Sequence, residues 1–437
     1  MPFYFVVSNK ICTFAAKSKY MEKELFRTII AENQEYIGRI PLVQRPLDLE
    51  EYGNYVFVGV RQAGKSYLLY QRIQQLLANG VDIENIVYVN FDDERLQGMS
   101  VTDFDLILQA YHSMYDSQPI FFFDEIQNVE GWANFARRLA NQKYRIYITG
   151  SNAKMLSRDI ETVLGGRYLD ISVFPYSFSE YLKAVGVLVS KNWQYGRKAN
   201  ELQRHFRTYF DWGGFPELVH FQEKRVWLNS LYNRIFFNDL VVRHKIKNED
   251  ALRLCVRRLA ESVKQPCSLN RLSNLIKATG TPCSPSTVME YVRYLQESCL
   301  LISIDNYVSK FVEKETIKKH YFVDNGLLHL FINNPNTSLL ENLCTITLYK
   351  KYGKGLYYYN RNIEVDFYVP DEGLAVQASY QMSDEDTIER EVKALVTLHG
   401  LYPLKRAMII TYEDEGEIVR EGLKIEIKPA WKWVMEG

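Results

Sequence analysis

The run Gly59-Val-Arg61-Gln62-Ala63-Gly64-Lys65-Ser66 leaves a chain little freedom in how it folds around it. Its Gly-x-x-x-x-Gly-Lys-Ser spacing is that of a phosphate-binding loop. Glycines let the backbone curl so that successive N–H groups face an anion, and a following helix adds the positive end of its dipole. The flanks agree with this reading. The apolar run Tyr55-Val-Phe-Val-Gly59 predicts a strand leading in, and Tyr67, Leu68, Leu69, Ile73, Leu76 and Leu77 predict a helix leading out from Lys65. The expected cradle for ATP runs from Gly59 through Arg61, Gln62, Ala63, Gly64, Lys65 and Ser66 to Tyr67. Lys65 would reach the β- and γ-phosphates, and the Ser66 hydroxyl would ligate Mg²⁺.

A second run ends in acid. Pro119-Ile-Phe-Phe-Phe-Asp124-Glu125 reads as a buried central strand that delivers two carboxylates to the ligand side of a parallel sheet. Asp124 is expected to hold Mg²⁺ through water. Glu125 is expected to polarise the attacking water, since γ-phosphate hydrolysis depends mainly on positioning a nucleophile and stabilising charge.

Strand and helix patterns alternate from 55 to about 175, with strands predicted at 55–59, 86–91, 120–124, 144–149 and 168–174. That alternation predicts a doubly wound α/β sheet. The full division reads as an unstructured extension or misassigned start over 1–20, a phosphate-loop domain over 21–176 and a helical subdomain over 177–248. A winged-helix-like region over 249–335 and a final α/β domain over 336–437 follow. A chain of 437 residues has room for these units. Equal numbers of basic and acidic side chains, 53 each, remove any global charge argument for nucleic acid. Six scattered cysteines with no Cys-x-x-Cys pair point to reduced thiols and a cytoplasmic setting, and no apolar stretch is long enough to span a membrane.

With GVRQAGKS, FFFDEIQ, ITGSN, LGGRYLDISVFPYSFSEYL, YFDWGGFPEL, HYFVDNGLL and IEVDFYV in one chain, the sequence resembles the bacterial and archaeal AAA-type ATPases that carry a C-terminal domain of unknown function. The resemblance implies a P-loop sheet followed by a winged helix and a restriction-endonuclease-like fold. It also implies that the strand ending Thr149-Gly-Ser151-Asn152 inserts between the loop strand and the acidic strand. Ser151 and Asn152 are then candidate γ-phosphate sensors, with helix N-capping as the competing role. Arg167, after Gly165-Gly166, is a candidate arginine finger for a neighbouring copy in a homo-oligomer, with a salt bridge at the strand edge as the alternative. Arg61 is a further candidate for phosphate or inter-subunit contact.

In the tail, Glu341 and Asp366 match two acids of the nuclease pattern, but Gln377 and Ser379 stand where its glutamate and lysine would be. Lys393 or Arg390 could supply a migrated cation, and Arg361 or Arg390 could simply pair with the acids. An inactive nuclease fold is the expectation. DNA is a candidate partner through Arg271, Lys277, Tyr291, Arg293, Tyr294, Lys310, Lys314, Lys318 and Lys319, with a solvated mixed-charge face as the competing reading. The principal expectation is a Mg²⁺-dependent ATPase acting as a switch or motor module. A non-hydrolysing ATP-binding module and an ATP-licensed nuclease are the alternatives.

Overall fold

The computed structural model describes residues 21–156, 158–189 and 191–436. The expectation for residues 1–20 lies outside them. Five parallel strands form the first sheet: β1 (Tyr55–Val58), β2 (Ile86–Asn90), β3 (Ile120–Asp124), β4 (Arg145–Gly150) and β5 (Leu169–Ser172), in the order β2-β3-β4-β1-β5. All four pairings are parallel, with Val56 opposite Ile148 and Phe123 opposite Ile148 fixing β4 between β1 and β3. The predicted doubly wound sheet is therefore present, and β4 occupies the inserted position.

Strand alternation divides the core. Val56, Val58, Val87, Val89, Phe121, Phe123, Ile146 and Ile148 point to one face, where they pack on helices α1 (Lys23–Tyr36), α3 (Phe104–His112) and α4 (Trp132–Asn141). Tyr55, Phe57, Tyr88, Phe122 and Tyr147 point to the other face, against α2 (Lys65–Ala78). Residues successive along a strand must face opposite ways, so apolar residues at every position require two covered faces. That is why these strands read as unbroken apolar runs.

Beyond β5 a helical stretch leads through Gly196–Trp212 and Lys224–Arg234 into a π-helical segment, Ile235–Val242. Three helices follow (Glu249–Glu261, Leu269–Lys277, Pro285–Glu297), with the short β6 (Cys267–Ser268) between the first two and the hairpin β7 (Leu301–Asn306) and β8 (Ile317–Phe322) after the third. The tail runs as helix Asn336–Tyr352, strands β9 (Tyr357–Asn360), β10 (Glu364–Val369) and β11 (Leu374–Ala378), helix Glu385–Leu401 and β12 (Arg406–Thr411). The hairpin β13 (Gly416–Arg420) and β14 (Leu423–Pro429) and a last helix, Ala430–Glu436, complete it.

One finding departs from the segment-by-segment reading. β7 pairs in parallel with β9, through Asp305 with Tyr357 and Asn306 with Tyr358. The hairpin at 301–322 and the tail thus share one nine-stranded sheet, β13-β14-β12-β11-β10-β9-β7-β8-β6.

Candidate nucleotide site

The site lies where β1, β3 and β4 end, at the carboxyl edge of the sheet, where an open α/β fold leaves a crevice. Leaving β1, the chain turns sharply because Gln62 (φ 62°) and Gly64 (φ 90°) both take the left-handed conformation. Gly59 is required by close approach: a Cβ there would lie 1.9 Å from the Val173 carbonyl oxygen. Helix α2 starts at Lys65, so the first turn of N–H groups at Gly64–Tyr67 opens toward the loop.

Lys65 is buried, and its Nζ donates to the carbonyls of Gly59 at 3.1 Å and Val60 at 3.3 Å. It also pairs with Glu125 Oε1 at 3.3 Å. Asp124, at the end of β3, is buried and accepts hydrogen bonds from Tyr88 (2.7 Å) and Thr149. Burial, then the adjacent Glu125 charge, raises its pKa, and the nearby Ser66, Thr149 and Tyr88 hydroxyls work against the rise. Glu125 sits at φ 51°, another left-handed residue. Its burial disfavours charge, but Lys65, Gln127, Ser151 and Arg61 outweigh that and hold its pKa below the ordinary range. Non-glycine residues in this conformation cost of order 1 kcal/mol each and collect at working sites. A hydroxyl (Ser66) beside a carboxylate (Asp124) is an oxygen donor set suited to Mg²⁺, which takes one or two such ligands together with substrate phosphates and water.

The sensor candidates separate. Ser151 is buried and accepts from Gln127 Nε2 at 3.4 Å, within the Glu125 environment. Asn152 Oδ1 accepts from the Lys154 N–H at 2.8 Å, which is the capping role. Arg61 does not point freely outward. Its guanidinium grips buried Asp239 of the π-helical segment in a two-pronged pair (2.9 and 3.0 Å), and Arg243 joins the same carboxylate at 3.0 Å. Gln62 Nε2 reaches Glu217 at 3.3 Å, and Tyr67 is exposed with its ring edge-on to Tyr70. Arg167 is exposed and donates to its neighbour Gly165 at 3.1 Å.

Sequence reasoning missed several participants. Arg45 bonds the Ala63 carbonyl of the loop (3.2 Å), the Phe174 carbonyl (3.0 Å) and Glu180 (2.8 Å), tying the loop to helix Phe178–Ala184. Asp239 carried a readable signal, an acid inside the apolar run Ile235-Phe-Phe-Asn-Asp-Leu-Val-Val. Tyr88, Thr149 and Gln127 carried none beyond their proximity to the motifs.

The tail acids are arranged differently from any of the pairings expected. Lys319 is fully buried and places its ammonium 3.2 Å from Glu341, 3.0 Å from Glu364 and 3.0 Å from Asp366. Tyr321 donates to Glu341 at 2.7 Å. Gln377 is spent on the neighbouring strand: its Oε1 accepts from the Asp366 N–H (2.7 Å) and its Nε2 donates to the Glu364 carbonyl (3.0 Å). Ser379 donates to the Gln381 carbonyl at 3.2 Å, and Arg390 pairs with Glu391 at 2.6 Å. The partner of Glu341 and Asp366 is therefore Lys319, not Arg361 or Arg390. Among the described residues no group of three or more His, Cys, Asp or Glu is arranged to hold a metal ion.

Of the cations expected on the basic face, Lys319 is internal, Lys318 pairs with Asp305 (2.9 Å), Lys314 lies over the Tyr357 ring (5.5 Å), and Arg293 lies over Tyr294 beside Glu297. Tyr291 is buried, with its hydroxyl on the Asn248 carbonyl. No described helix is long and apolar enough to cross a membrane.

An AAA domain model matches residues 52–182, and a domain of unknown function (DUF8612) matches residues 203–338. An uncharacterised protein of Methanocaldococcus jannaschii is 31% identical over 432 residues, spanning 94% of this chain and 95% of its own length. An uncharacterised protein of Haemophilus influenzae is 31% identical over 391 residues, spanning 86% of this chain and 93% of its own. Among solved structures, a Walker-type ATPase of Pyrococcus abyssi aligns with 72% of this chain and 97% of its own, at TM-score 0.40 and 12% identity. The chain belongs to the bacterial and archaeal family of AAA-type P-loop ATPases that carry a further domain of unknown function.

Proposed function

We propose that this protein binds ATP with Mg²⁺ and hydrolyses it, using the cycle to change how the phosphate loop is tied to the helical and C-terminal regions. The observation that carries the reading is the convergence of Lys65, Asp124 and Glu125 at the ends of two strands separated by β4. Lys65 is the phosphate ligand, and Ser66 with Asp124 would hold Mg²⁺, which screens the phosphate charges when bound. Glu125 is held ionised at neutral pH and is the proton acceptor for the attacking water. Arg45, Gln62 and Arg61 connect the loop to Glu180, Glu217 and Asp239, so a change at the loop is felt in three later segments.

The tail supports a structural role in preference to nuclease chemistry, because an ammonium fills the centre of the acid cluster. Titration with a fluorescent ATP analogue tests the binding half of the proposal. Wild type should saturate, and Lys65→Ala should lose at least about tenfold in affinity, since a charged hydrogen bond to phosphate contributes roughly 1.5–3 kcal/mol. Equal affinity in the two proteins would contradict the assignment.

A further inference from the structure

Gln127 lies two residues past Glu125, in the short turn Ile126–Asn128. Its Nε2 donates to Glu125 Oε2 at 2.5 Å and to Ser151 Oγ at 3.4 Å. Its Oε1 is buried and accepts no hydrogen bond among the described residues. That oxygen packs against Gly150, where a Cβ would lie 2.5 Å from it and 1.9 Å from Met155 Sδ, so a side chain at 150 would displace both. Native proteins leave few buried acceptors unmade, and those they leave call for an explanation at a working site.

The two oxygens of Glu125 are thereby divided. Oε2 belongs to Gln127, and Oε1 belongs to Lys65 at 3.3 Å. In this state neither is free to take a proton from water. An anion drawing Lys65 toward itself frees Oε1 alone, while Oε2 stays gripped and the carboxylate keeps its orientation.

We propose that Gln127 is a positioning residue for hydrolysis: its amide N–H holds Glu125 Oε2, and its free Oε1 accepts one hydrogen of the attacking water while Glu125 Oε1 takes the other. This deepens the ATPase reading and rests on it. The water oxygen bonds the γ-phosphorus as the bond to the β,γ-bridging oxygen breaks, and that electron pair leaves with ADP. The water proton moves to Glu125 Oε1, and the second hydrogen stays on the new phosphate. A geometry fixed at both ends of the water matters because a displacement of about 1 Å in a reacting group costs about a hundredfold in rate.

The test compares wild type, Gln127→Leu and Gln127→Glu. Affinity for a fluorescent ATP analogue and phosphate release are measured on the full chain, with circular dichroism confirming that each variant folds. Gln127→Leu keeps the bulk and removes both polar atoms. It should bind the analogue within about twofold of wild type and lose about a hundredfold in kcat. Gln127→Glu keeps an oxygen there but loses the N–H that holds Glu125 Oε2, and should likewise bind the analogue and lose kcat. Loss of kcat in step with affinity would make Gln127 merely structural and overturn the proposal. Unchanged kcat in a folded Gln127→Leu would overturn it too, with the ATPase reading intact. A wild type that binds the analogue and releases no phosphate would remove the ATPase reading and this inference together.

Discussion

Among the described residues two buried lysines, Lys65 and Lys319, face carboxylates, and the contrast between them separates a site built to act from one built to hold. Lys65 meets two carbonyls of its own loop and one carboxylate, whose side chain keeps 16% of its exposure. Lys319 has no exposure and meets three carboxylates, one of them also held by Tyr321. Burial opposes charge on Lys319, but Glu341, Asp366 and Glu364 reverse that, and its pKa stands well above the ordinary lysine value. Burial, and then the Asp366 charge, pushes the Glu341 carboxyl above its ordinary range. An ammonium that leaves Lys65's position gives up one ion pair and two carbonyls. One that leaves Lys319's position strands three acids, of which Glu341 is buried. The first arrangement can exchange its partners for phosphate, and the second is closed.

The sharpest way to break this contrast is to remove each charge in turn. Lys319→Met should destabilise the fold by about 3–5 kcal/mol, the usual result of removing one partner from a buried ionic cluster. Lys65→Met should cost less than about 2 kcal/mol, because Glu125 keeps Gln127 and a path to solvent. Urea denaturation of the two variants measures both. Equal losses would mean that the loop lysine is as structural as its counterpart.

Acid should also act on the closed side. His320, next to Lys319 on β8, is buried with Nδ1 on Ser303 Oγ at 2.8 Å. Burial first, then the Lys318 charge, lowers its pKa to about 4 from 6.5. The folded pKa is the depressed one, so the unfolded chain takes up the proton first. The stability is present above about pH 6.5 and is lost as pH falls toward about 4, to a total of about 3 kcal/mol. Asp324 acts in the opposite sense, since burial raises its pKa to about 6 and its contribution falls as pH rises toward that value. The difference between wild type and His320→Gln isolates the histidine, and the variant should show a flatter dependence in that window. Parallel curves would show that His320 ionises in the fold as it does in water.

A smaller effect is expected where the loop is anchored. Asp239→Asn should cost about 2 kcal/mol by weakening charge-assisted hydrogen bonds to Arg61 and Arg243, each of whose side chains is 24% exposed. It should also alter affinity for the ATP analogue, because Arg61 belongs to the loop. A thermal melt together with the titration checks both. Changed stability at constant affinity would confine Asp239 to packing.

The candidate nucleotide site was legible because its chemistry constrains local sequence. A loop that needs φ > 0 at Gly64 and close approach at Gly59 must write those glycines down, and a strand buried on both faces must write an apolar run before its acids. What escaped depends on distant segments. Lys319 sits in Ile317-Lys-Lys-His-Tyr-Phe322, which reads as an exposed basic run until Glu341, Glu364 and Asp366 arrive from other elements. Arg61 reads as a free loop cation until Asp239 is brought to it across 178 residues. The hairpin β13–β14 escaped for another reason: β13 is a largely exposed edge strand, so Gly416-Glu-Ile-Val-Arg420 has no alternating buried face to announce it.

In the proposed reaction Glu125 takes the proton from water at a site that Lys65 opens to phosphate. Phosphate release from ATP by wild type and Glu125→Gln, each saturated with nucleotide as judged by the fluorescent analogue, tests it most directly. The account predicts steady release by wild type, equal or tighter binding by the variant, and a loss in turnover of about a hundredfold or more, the contribution of a general base. Equal turnover by the two proteins would contradict it.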